Sequence, residues 1–178
     1  MTTVSTQTSR ITDAVVTASV PTPVGDVCIA VHGETVVACG FADHWDAIAG
    51  KVAVRFPGVA WEPGDSGPAD ALRAYVAGDL SALDALVVDT GGTDFQRRVW
   101  AALRTIPTGV TWSYTQLAEA VSTKTATRAV GSANGANPVS LVVPCHRVVR
   151  SDGTLGGYGG GLARKSWLLA HEGARLLG

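Results

Sequence analysis

The sequence predicts an α/β protein of two domains, residues 1–91 and 92–178. Short β-branched segments separated by turn residues occupy the first half, which is typical of a small antiparallel sheet. The glycine pair Gly91-Gly92 interrupts that pattern, and segments with helix-capping residues follow it. The first domain should therefore contain a small antiparallel sheet with helices. The second should be mainly helical, with a winged-helix-like helix-turn-helix.

The N-terminal domain is predicted to begin with a three-stranded antiparallel meander. Strands are expected over residues 14–20, 27–31 and 35–41, with turns at 21–26 and 33–34. Helices are expected over residues 44–54 and 70–77, a connection over 57–67 and an extended segment over 80–90. Residues 1–10 are polar and rich in Ser and Thr, which indicates a frayed terminus.

The C-terminal domain is predicted from helix-capping signals. Thr93 is an N-cap candidate, and the helix after it places four apolar residues on one face: Phe95, Val99, Trp100 and Leu103. Ser113 to Gln116 has the Ser-x-x-Gln form of a capping box, which opens a short helix through Val121. A second helix over 126–133 and a final helix over 163–172 complete the domain.

Composition limits the function classes. The chain is 46% hydrophobic and 16% charged, so it can bury a core, and its net charge of −1 gives no global nucleic-acid signal. Three cysteines, an odd number without a CxxC pair, argue against a disulfide scaffold, a zinc ribbon and a dithiol redox site. We therefore expect a reducing, cytoplasmic location, no metal and no cofactor. No apolar run is long enough to span a membrane.

The segment from Asn137 to Val149 is the strongest candidate for chemistry. Its apolar part, residues 139–143, predicts a short buried strand that Pro144 ends. Cys145 stands at that break, followed by the basic residues His146 and Arg147. Neighbouring positive charge lowers the pKa of a thiol, so this context indicates a reactive nucleophile. The alternative is a small buried cysteine at a strand end.

The helix predicted over 126–133 carries almost no bulk. Apart from Val130 and Arg128 its residues are small: Ala126, Thr127, Ala129, Gly131, Ser132 and Ala133. Small side chains would let this helix lie close against another surface, and the late basic residues provide a local charged patch for a nucleic acid. The alternatives are an ordinary helical hairpin and a solvated surface arginine.

Six glycines lie between Gly153 and Gly161, around Leu155 and Tyr158. No strand leads into this stretch within a βαβ unit, so a nucleotide-binding loop is a poor fit. We interpret it as a pocket wall where backbone approaches a ligand closely, which glycine allows. A flexible surface loop is the alternative.

The motif Pro144-Cys145-His146-Arg147-Val148-Val149, with Asn137-Pro138 upstream, resembles the active-site motif of O6-alkylguanine-DNA alkyltransferases, also called methylated-DNA–protein-cysteine methyltransferases. The resemblance is strong from Thr93 to Gly173 and weak before it. It implies DNA repair by irreversible, stoichiometric transfer of an alkyl group to Cys145. The donor would be O6-alkylguanine, or O4-alkylthymine, flipped out of duplex DNA.

The resemblance also assigns chemical roles. Cys145 is the nucleophile, His146 reaches it through a bridging water, and Glu172 orients the imidazole. Asn137 braces the backbone of the cysteine segment, and Tyr114 donates a proton to the departing base. Lys165 is also a catalytic candidate. Without the resemblance, both Lys165 and Glu172 would be interpreted as charged residues on the protein surface.

DNA contacts are implied for the small-residue helix. Arg128 takes the place of the extruded nucleotide in the minor groove, and Tyr114 together with four small residues contacts the DNA: Ala126, Thr127, Ala129 and Gly131. The base pocket is assigned to Val148, Tyr158, Gly159 and Gly160. The expected partner is double-stranded DNA containing O6-alkylguanine, bound by a monomer with cooperative assembly on DNA as a further possibility. The expected location is cytoplasmic, and nucleoid-associated if the source is a bacterium.

Two other function classes stay open at this point. A cysteine hydrolase would pair Cys145 with a distant histidine: His32, His44 or His171. A DNA-binding regulator would keep the helix-turn-helix and ignore alkylated bases. Some relatives in the resembling family carry zinc in the N-terminal domain, but Cys28 and His32 alone make a weak ligand set.

Overall fold

The computed structural model describes residues 13–175 and has a mixed α/β fold. Within this range it contains seven strands: β1 (Ala14–Val20), β2 (Val27–His32), β3 (Thr35–Phe41), β4 (Ala60–Pro63), β5 (Val87–Val88), β6 (Trp112–Ser113) and β7 (Val148–Val149). It also contains six α-helices: α1 (Trp45–Ala53), α2 (Gly67–Val76), α3 (Asp94–Leu103), α4 (Tyr114–Val121), α5 (Thr127–Gly135) and α6 (Leu162–His171). The polar terminus predicted over residues 1–10 lies outside the described residues.

The predicted meander of β1, β2 and β3 is confirmed, but the sheet is larger. β4 pairs in parallel with β1, and β5 pairs in parallel with β3, giving the order β4-β1-β2-β3-β5. The sequence prediction missed both outer strands because β5 has two residues, and β4 lies in a segment rich in Pro and Gly. The sheet is therefore mixed, with an antiparallel centre.

Alternating side chains of the central strands pack into two separate hydrophobic cores on opposite faces of the sheet. Ile29 and Val36 face a large core shared with the second half of the chain, whereas Ala30 and Val37 face a smaller core under α1. This follows from the two-residue period of a strand. The large core contains residues from both halves, including Val27 and Leu168. The domain division at residue 91 stays a prediction.

The capped helices of the second half are confirmed. Thr93 and Ser113 each accept a hydrogen bond from the backbone N–H three residues later, and Gln96 and Gln116 return the bond. Three of the four apolar residues predicted on one face of α3 are buried, and Phe95 is partly buried. Trp100 Nε1 donates to the Ala133 carbonyl at 2.8 Å, which ties α3 to α5.

The strand predicted over residues 139–143 is wrong. The segment is buried, but it makes only isolated bridges, between Cys39 and Val139 and between Ser140 and Val143. Leu141 has a φ of 71°, the left-handed region that side chains other than glycine rarely adopt. A tight apolar turn therefore precedes Cys145, and a run of β-branched residues cannot reveal this because burial without pairing produces the same composition.

Removing a capping side chain should weaken the fold without touching the chemistry. Thr93→Ala is expected to lower the free energy of unfolding by about 1 kcal/mol, since it leaves an N-terminal N–H of α3 without its partner. Chemical denaturation measures the change. Thr93→Asp, which keeps an acceptor, is the control and should retain most of the stability. Equal losses in the two variants would contradict the capping role.

Candidate active site

Asn137 fixes the segment that carries Cys145. Its Nδ2 donates to the Val143 carbonyl at 2.8 Å, and its Oδ1 accepts the Val139 N–H at 2.9 Å, so one side chain closes the turn. Cys145 then begins a short 3₁₀ turn, Cys145–Arg147, and its thiol is buried and free. The bracing predicted for Asn137 is present in this geometry.

Strand β3 of the N-terminal half holds the same segment from the other side. The Cys39 N–H donates to the Pro138 carbonyl at 3.0 Å, and the Ser140 N–H donates to the Cys39 carbonyl at 2.8 Å. The cysteine segment is therefore hydrogen-bonded to the edge of β3 through backbone atoms. Sequence reasoning found no sign of this, because backbone pairing leaves no mark on side-chain type.

His146, Arg147 and Glu172 form a buried polar cluster behind Cys145. His146 Nε2 lies 3.0 Å from Glu172 Oε1, and Arg147 donates from Nε and Nη2 to both carboxylate oxygens at 2.9 Å. The Tyr75 hydroxyl donates to Oε1 at 2.8 Å. Arg147 also donates to the Ile106 carbonyl at 2.6 Å. The pairing expected between His146 and Glu172 exists, and a surface position for Glu172 is wrong.

A cavity of about 440 Å³ opens in front of Cys145, and we call it the active-site cavity. This volume is in the range of small-molecule sites. Seven residues assigned to catalysis, DNA or the base pocket line it: Tyr114, Gly131, Asn137, Cys145, Tyr158, Gly159 and Gly160. His146, Glu172, Lys165 and Val148 are buried outside its lining. The free thiol of Cys145 therefore faces an open cavity of small-molecule size.

Comparison with known proteins agrees with this geometry. A family model described as the DNA-binding domain of 6-O-methylguanine DNA methyltransferase matches residues 94–174. The methylated-DNA–protein-cysteine methyltransferase of Shigella flexneri is 58% identical over 118 residues, which are 66% of this chain and 68% of the relative. The enzyme of that name from Mycobacterium bovis is 40% identical over 165 residues, 88% of this chain and 92% of the relative. The chain belongs to the methylated-DNA–protein-cysteine methyltransferase family.

Solved structures support this family assignment along nearly the whole chain. Mycobacterium tuberculosis OGT in complex with DNA matches with a TM-score of 0.72 and 37% identity, covering 88% of this chain and 92% of that one. The O6-methylguanine-DNA methyltransferase of the archaeon Pyrococcus kodakaraensis matches with a TM-score of 0.67 and 26% identity, over 90% and 99% of the two chains. The resemblance seen in the sequence from Thr93 onward therefore extends into the N-terminal half.

The Cys145 thiol is not activated by its neighbours in sequence. Burial raises the pKa of the Cys145 thiol, while the side chains of Asn137 and Ser140 and the charge of Lys165 lower it. The expectation that His146 and Arg147 favour the thiolate is wrong for the resting protein. Arg147 is committed to Glu172, and His146 is neutral because burial lowers its pKa. The pKa of the Cys145 thiol therefore stays above its ordinary value in the resting protein.

Lys165 is buried, so its interpretation as a surface charge is wrong. Nζ donates to the carbonyls of Val148 at 2.6 Å, of Gly157 at 3.1 Å and of Leu155. Burial lowers the pKa of Lys165 to about 8, and the charge of Cys145 opposes that fall. The ammonium thus clamps the glycine-rich segment to β7 in this family member.

Most of the residues proposed to touch DNA lie on α5 or in the short turn just before it. Arg128 and Ala129 are exposed, and Ala126 and Thr127 are half-buried just before the helix becomes regular. A Cβ built at Gly131 would lie 3.9 Å from the Tyr114 ring, so a small residue there keeps α5 close to α4. Arg128 makes no ion pair with any residue between 13 and 175. Its guanidinium is free to meet a ligand.

Several residues of the site were missed by sequence reasoning. Phe41 and Lys51, from the N-terminal half, line the active-site cavity; so does His44, which the sequence suggested only as the partner of Cys145 in a cysteine hydrolase. Tyr75 joins the buried polar cluster, and Ser140 lies beside the thiol. For Ser140 a signal existed, namely a polar residue within an apolar run. The others come from segments with no motif, and only tertiary structure brings them to Cys145.

No group of three metal-ligating side chains occurs between residues 13 and 175. In the same range no helix has the length and apolar character needed to cross a membrane.

Proposed function

We propose that the protein repairs DNA by transferring an alkyl group from O6 of guanine in duplex DNA to Cys145, once per molecule. The observation that carries this proposal is the buried free thiol facing a cavity of about 440 Å³, with a buried imidazole–carboxylate pair behind it. The family to which the chain belongs is named for this reaction. O4-alkylthymine is the second expected substrate.

The chemistry is a displacement at carbon. The Cys145 thiol gives up its proton toward His146 Nδ1, which is buried and has no partner among residues 13–175. Since His146 and its neighbour Cys145 share no direct hydrogen bond, a water molecule would relay the proton. The thiolate sulfur attacks the alkyl carbon, a carbon–sulfur bond forms, and the carbon–oxygen bond to guanine breaks.

Tyr114 assists the leaving group. The guanine departs with its electron pair and needs a proton, which the phenol supplies to the ring. Burial raises the pKa of Tyr114, and a negative charge on Cys145 raises it further, so the phenol stays protonated until it is needed. The proton that His146 holds returns to the phenolate through solvent, and the charges balance.

The edge of the base would meet backbone groups of the cavity. The proposed acceptors are the carbonyl of Cys145, which lines the cavity, and that of Val148, which is buried next to its lining, and the Gly159 N–H would face O6. Val148 already accepts a hydrogen bond from Lys165, but a carbonyl oxygen has a second lone pair. Tyr158 and Gly160 complete the wall; a Cβ at Gly160 would lie 2.8 Å from the Tyr158 ring.

The helices α4 and α5 serve as the helix-turn-helix of a winged-helix-like domain. We place α5 in the minor groove, where its small residues permit close approach and Arg128 fills the gap left by the flipped nucleotide. The degenerate code of that groove means little sequence preference. The protein binds as a monomer that could assemble cooperatively on DNA, and its three free cysteines suit a reducing compartment such as the cytoplasm.

A cysteine hydrolase is the weaker candidate. His171 Nε2 is occupied by the Tyr75 carbonyl at 2.8 Å, and His32 is paired with Asp13. His44 lines the active-site cavity, but no buried carboxylate orients it. The buried pair of His146 and Glu172 is the arrangement that suits proton transfer at Cys145.

Cys145→Ser should separate binding from chemistry. We expect it to lose transfer but keep affinity for duplex DNA, because affinity comes from phosphate contacts and α5. With about four phosphates neutralised, affinity should fall about 10²-fold between about 50 and 200 mM salt. Fluorescence anisotropy with a labelled duplex measures both. Cys28→Ser, at a half-buried cysteine away from the cavity, is the control and should keep transfer. Loss of affinity in Cys145→Ser alone would contradict the binding face.

A further inference from the structure

We propose that Tyr75 is a positioning residue for the reaction at Cys145, acting through Glu172. The inference rests on the proposed function, and it assigns a part in the reaction to the N-terminal half of the chain. Tyr75 lies on α2, and 97 positions separate it from Glu172 in the sequence. It touches neither the active-site cavity nor the substrate, so its effect must travel through the buried cluster.

The geometry places Tyr75 on the oxygen that holds His146. Glu172 Oε1 accepts from the Tyr75 hydroxyl at 2.8 Å, from His146 Nε2 at 3.0 Å and from Arg147 Nη2 at 2.9 Å. Three donors on one oxygen share its negative charge. A hydrogen bond from Tyr75 therefore weakens the pull of Glu172 on the His146 N–H.

The phenol is held in place on every side. Tyr75 is 1% exposed, and its ring packs edge-on against His171, with ring centroids 5.2 Å apart. His171 also bonds the Tyr75 carbonyl and stacks on Trp167. Burial and the charge of Glu172 raise the pKa of Tyr75, so the hydroxyl stays a donor. Tyr75 thus fixes both the position and the charge distribution of the carboxylate.

The charged groups around His146 set its pKa, which is the quantity that Tyr75 can change. Glu172 and Lys165 face it from the C-terminal helix, and Arg147 is its neighbour; the two cations lower the pKa of His146 while Glu172 raises it. Tyr75 adds an uncharged hydroxyl donor to the same carboxylate oxygen that His146 contacts. Its removal would leave the net charge of the cluster unchanged but would let Glu172 stabilise a protonated His146 more strongly.

A shifted pH profile is the signature of this role. The thiol proton can be accepted only by neutral His146, so transfer has an acidic limb set by the imidazole. In Tyr75→Phe the limb should move to higher pH by about half a unit to one unit, which slows transfer about three- to tenfold at pH values below the limb of the wild-type protein. Single-turnover rates on a duplex containing O6-methylguanine, measured from pH 5 to 9, determine the position of the acidic limb of the pH–rate profile.

Leu72→Val is the matched control. Leu72 is fully buried on the same helix and carries no polar group, so the change should lower the melting temperature without moving the acidic limb. A Tyr75→Phe protein that melts lower but keeps the wild-type limb would overturn the proposal, because Tyr75 would then be merely structural. Absence of transfer by the wild-type protein would instead contradict the proposed function.

A second variant decides the matter even if Tyr75→Phe does not fold. Site-specific replacement of Tyr75 by 3-fluorotyrosine keeps the ring and makes the phenol a stronger donor. The limb should then move to lower pH, opposite to the phenylalanine variant. A shift in the same direction, or no shift, would overturn the proposal.

Discussion

Replacing Arg128 with alanine is expected to slow transfer from duplex DNA by about 10²-fold, while reaction with a free O6-alkylguanine base stays nearly unchanged. Arg128 is exposed on α5 and unpaired within residues 13–175, so its loss should not disturb the fold. Flipping a nucleotide costs a few kcal/mol of stacking, and in the proposed function Arg128 would replace part of the stacking that is lost. Single-turnover rates on the two substrates measure the contrast.

Lys124→Ala is the control for charge. Lys124 lies just before α5, is exposed and pairs only with Glu119, so its removal takes away one positive charge without touching the extruded nucleotide's place. It should weaken DNA binding modestly and leave the flipping step intact. Equal slowing of Arg128→Ala on duplex and free base would contradict the role of Arg128.

Glu172→Gln is expected to lower the free energy of unfolding by about 3–5 kcal/mol, since it leaves the buried Arg147 without a counter-charge. The carboxylate accepts from three side chains, and an amide would turn one acceptor into a donor facing those donors. Denaturant unfolding measures the loss. Asp43→Asn, which breaks an exposed pair with Arg164, is the control and should cost far less.

The Glu172 carboxylate should also make the stability of the protein depend on pH. Burial alone would raise the pKa of Glu172, but hydrogen bonds from His146 and Arg147 hold it well below its usual range. Its contribution is therefore present above about pH 4.3, the usual value for Glu, and is lost as the pH falls below it. Wild type should lose melting temperature between about pH 5 and 3 more steeply than Glu172→Gln; parallel slopes would contradict this.

Transfer rates in the double variant test the pairing of His146 and Glu172. If the two act as one unit, Glu172→Gln combined with His146→Ala should be little slower than His146→Ala alone. Independent, multiplicative losses would mean that Glu172 supports the fold without orienting the imidazole.

Local signals predicted the parts of the fold that depend on local physics. The caps at Thr93 and Ser113 involve bonds within four residues, so the sequence around them was sufficient. The Asn137-Pro138 and Pro144-Cys145-His146-Arg147 motifs correctly indicated the segment whose thiol faces the active-site cavity. The turn at Leu141, with its positive φ, was not predicted, because buried apolar residues without strand pairing have the same composition as a strand.

Burial of charge was the hardest feature to anticipate. Lys165 and Glu172 lie near the ends of a helix, where charged side chains are usually exposed. They are buried because partners from other segments satisfy them: three carbonyls around Lys165, and Tyr75, His146 and Arg147 around Glu172. The cavity wall from Phe41 and Lys51 was missed for the same reason. Long-range partners carry no local pattern.

The fate of Cys145 after the reaction follows from its chemistry. Alkyl transfer produces a thioether, which is a poor leaving group and offers no carbonyl for water to attack. A thioether also lies outside the reversible steps of cysteine oxidation, so cellular reductants should not restore the thiol. The added carbon must fit beside a buried sulfur, and overpacking of this kind typically costs about 1–3 kcal/mol. The alkylated protein should therefore melt at a lower temperature.

Mass spectrometry of the intact and digested protein, after incubation with excess duplex containing O6-methylguanine, tests the central claim most directly. We expect a gain of one methyl group per molecule, confined to the peptide that holds Cys145, and repair of one guanine per protein. Repair of many guanines by each molecule with no lasting mass change, or a methyl group on Cys28 or Cys39 instead, would contradict single-use transfer to Cys145.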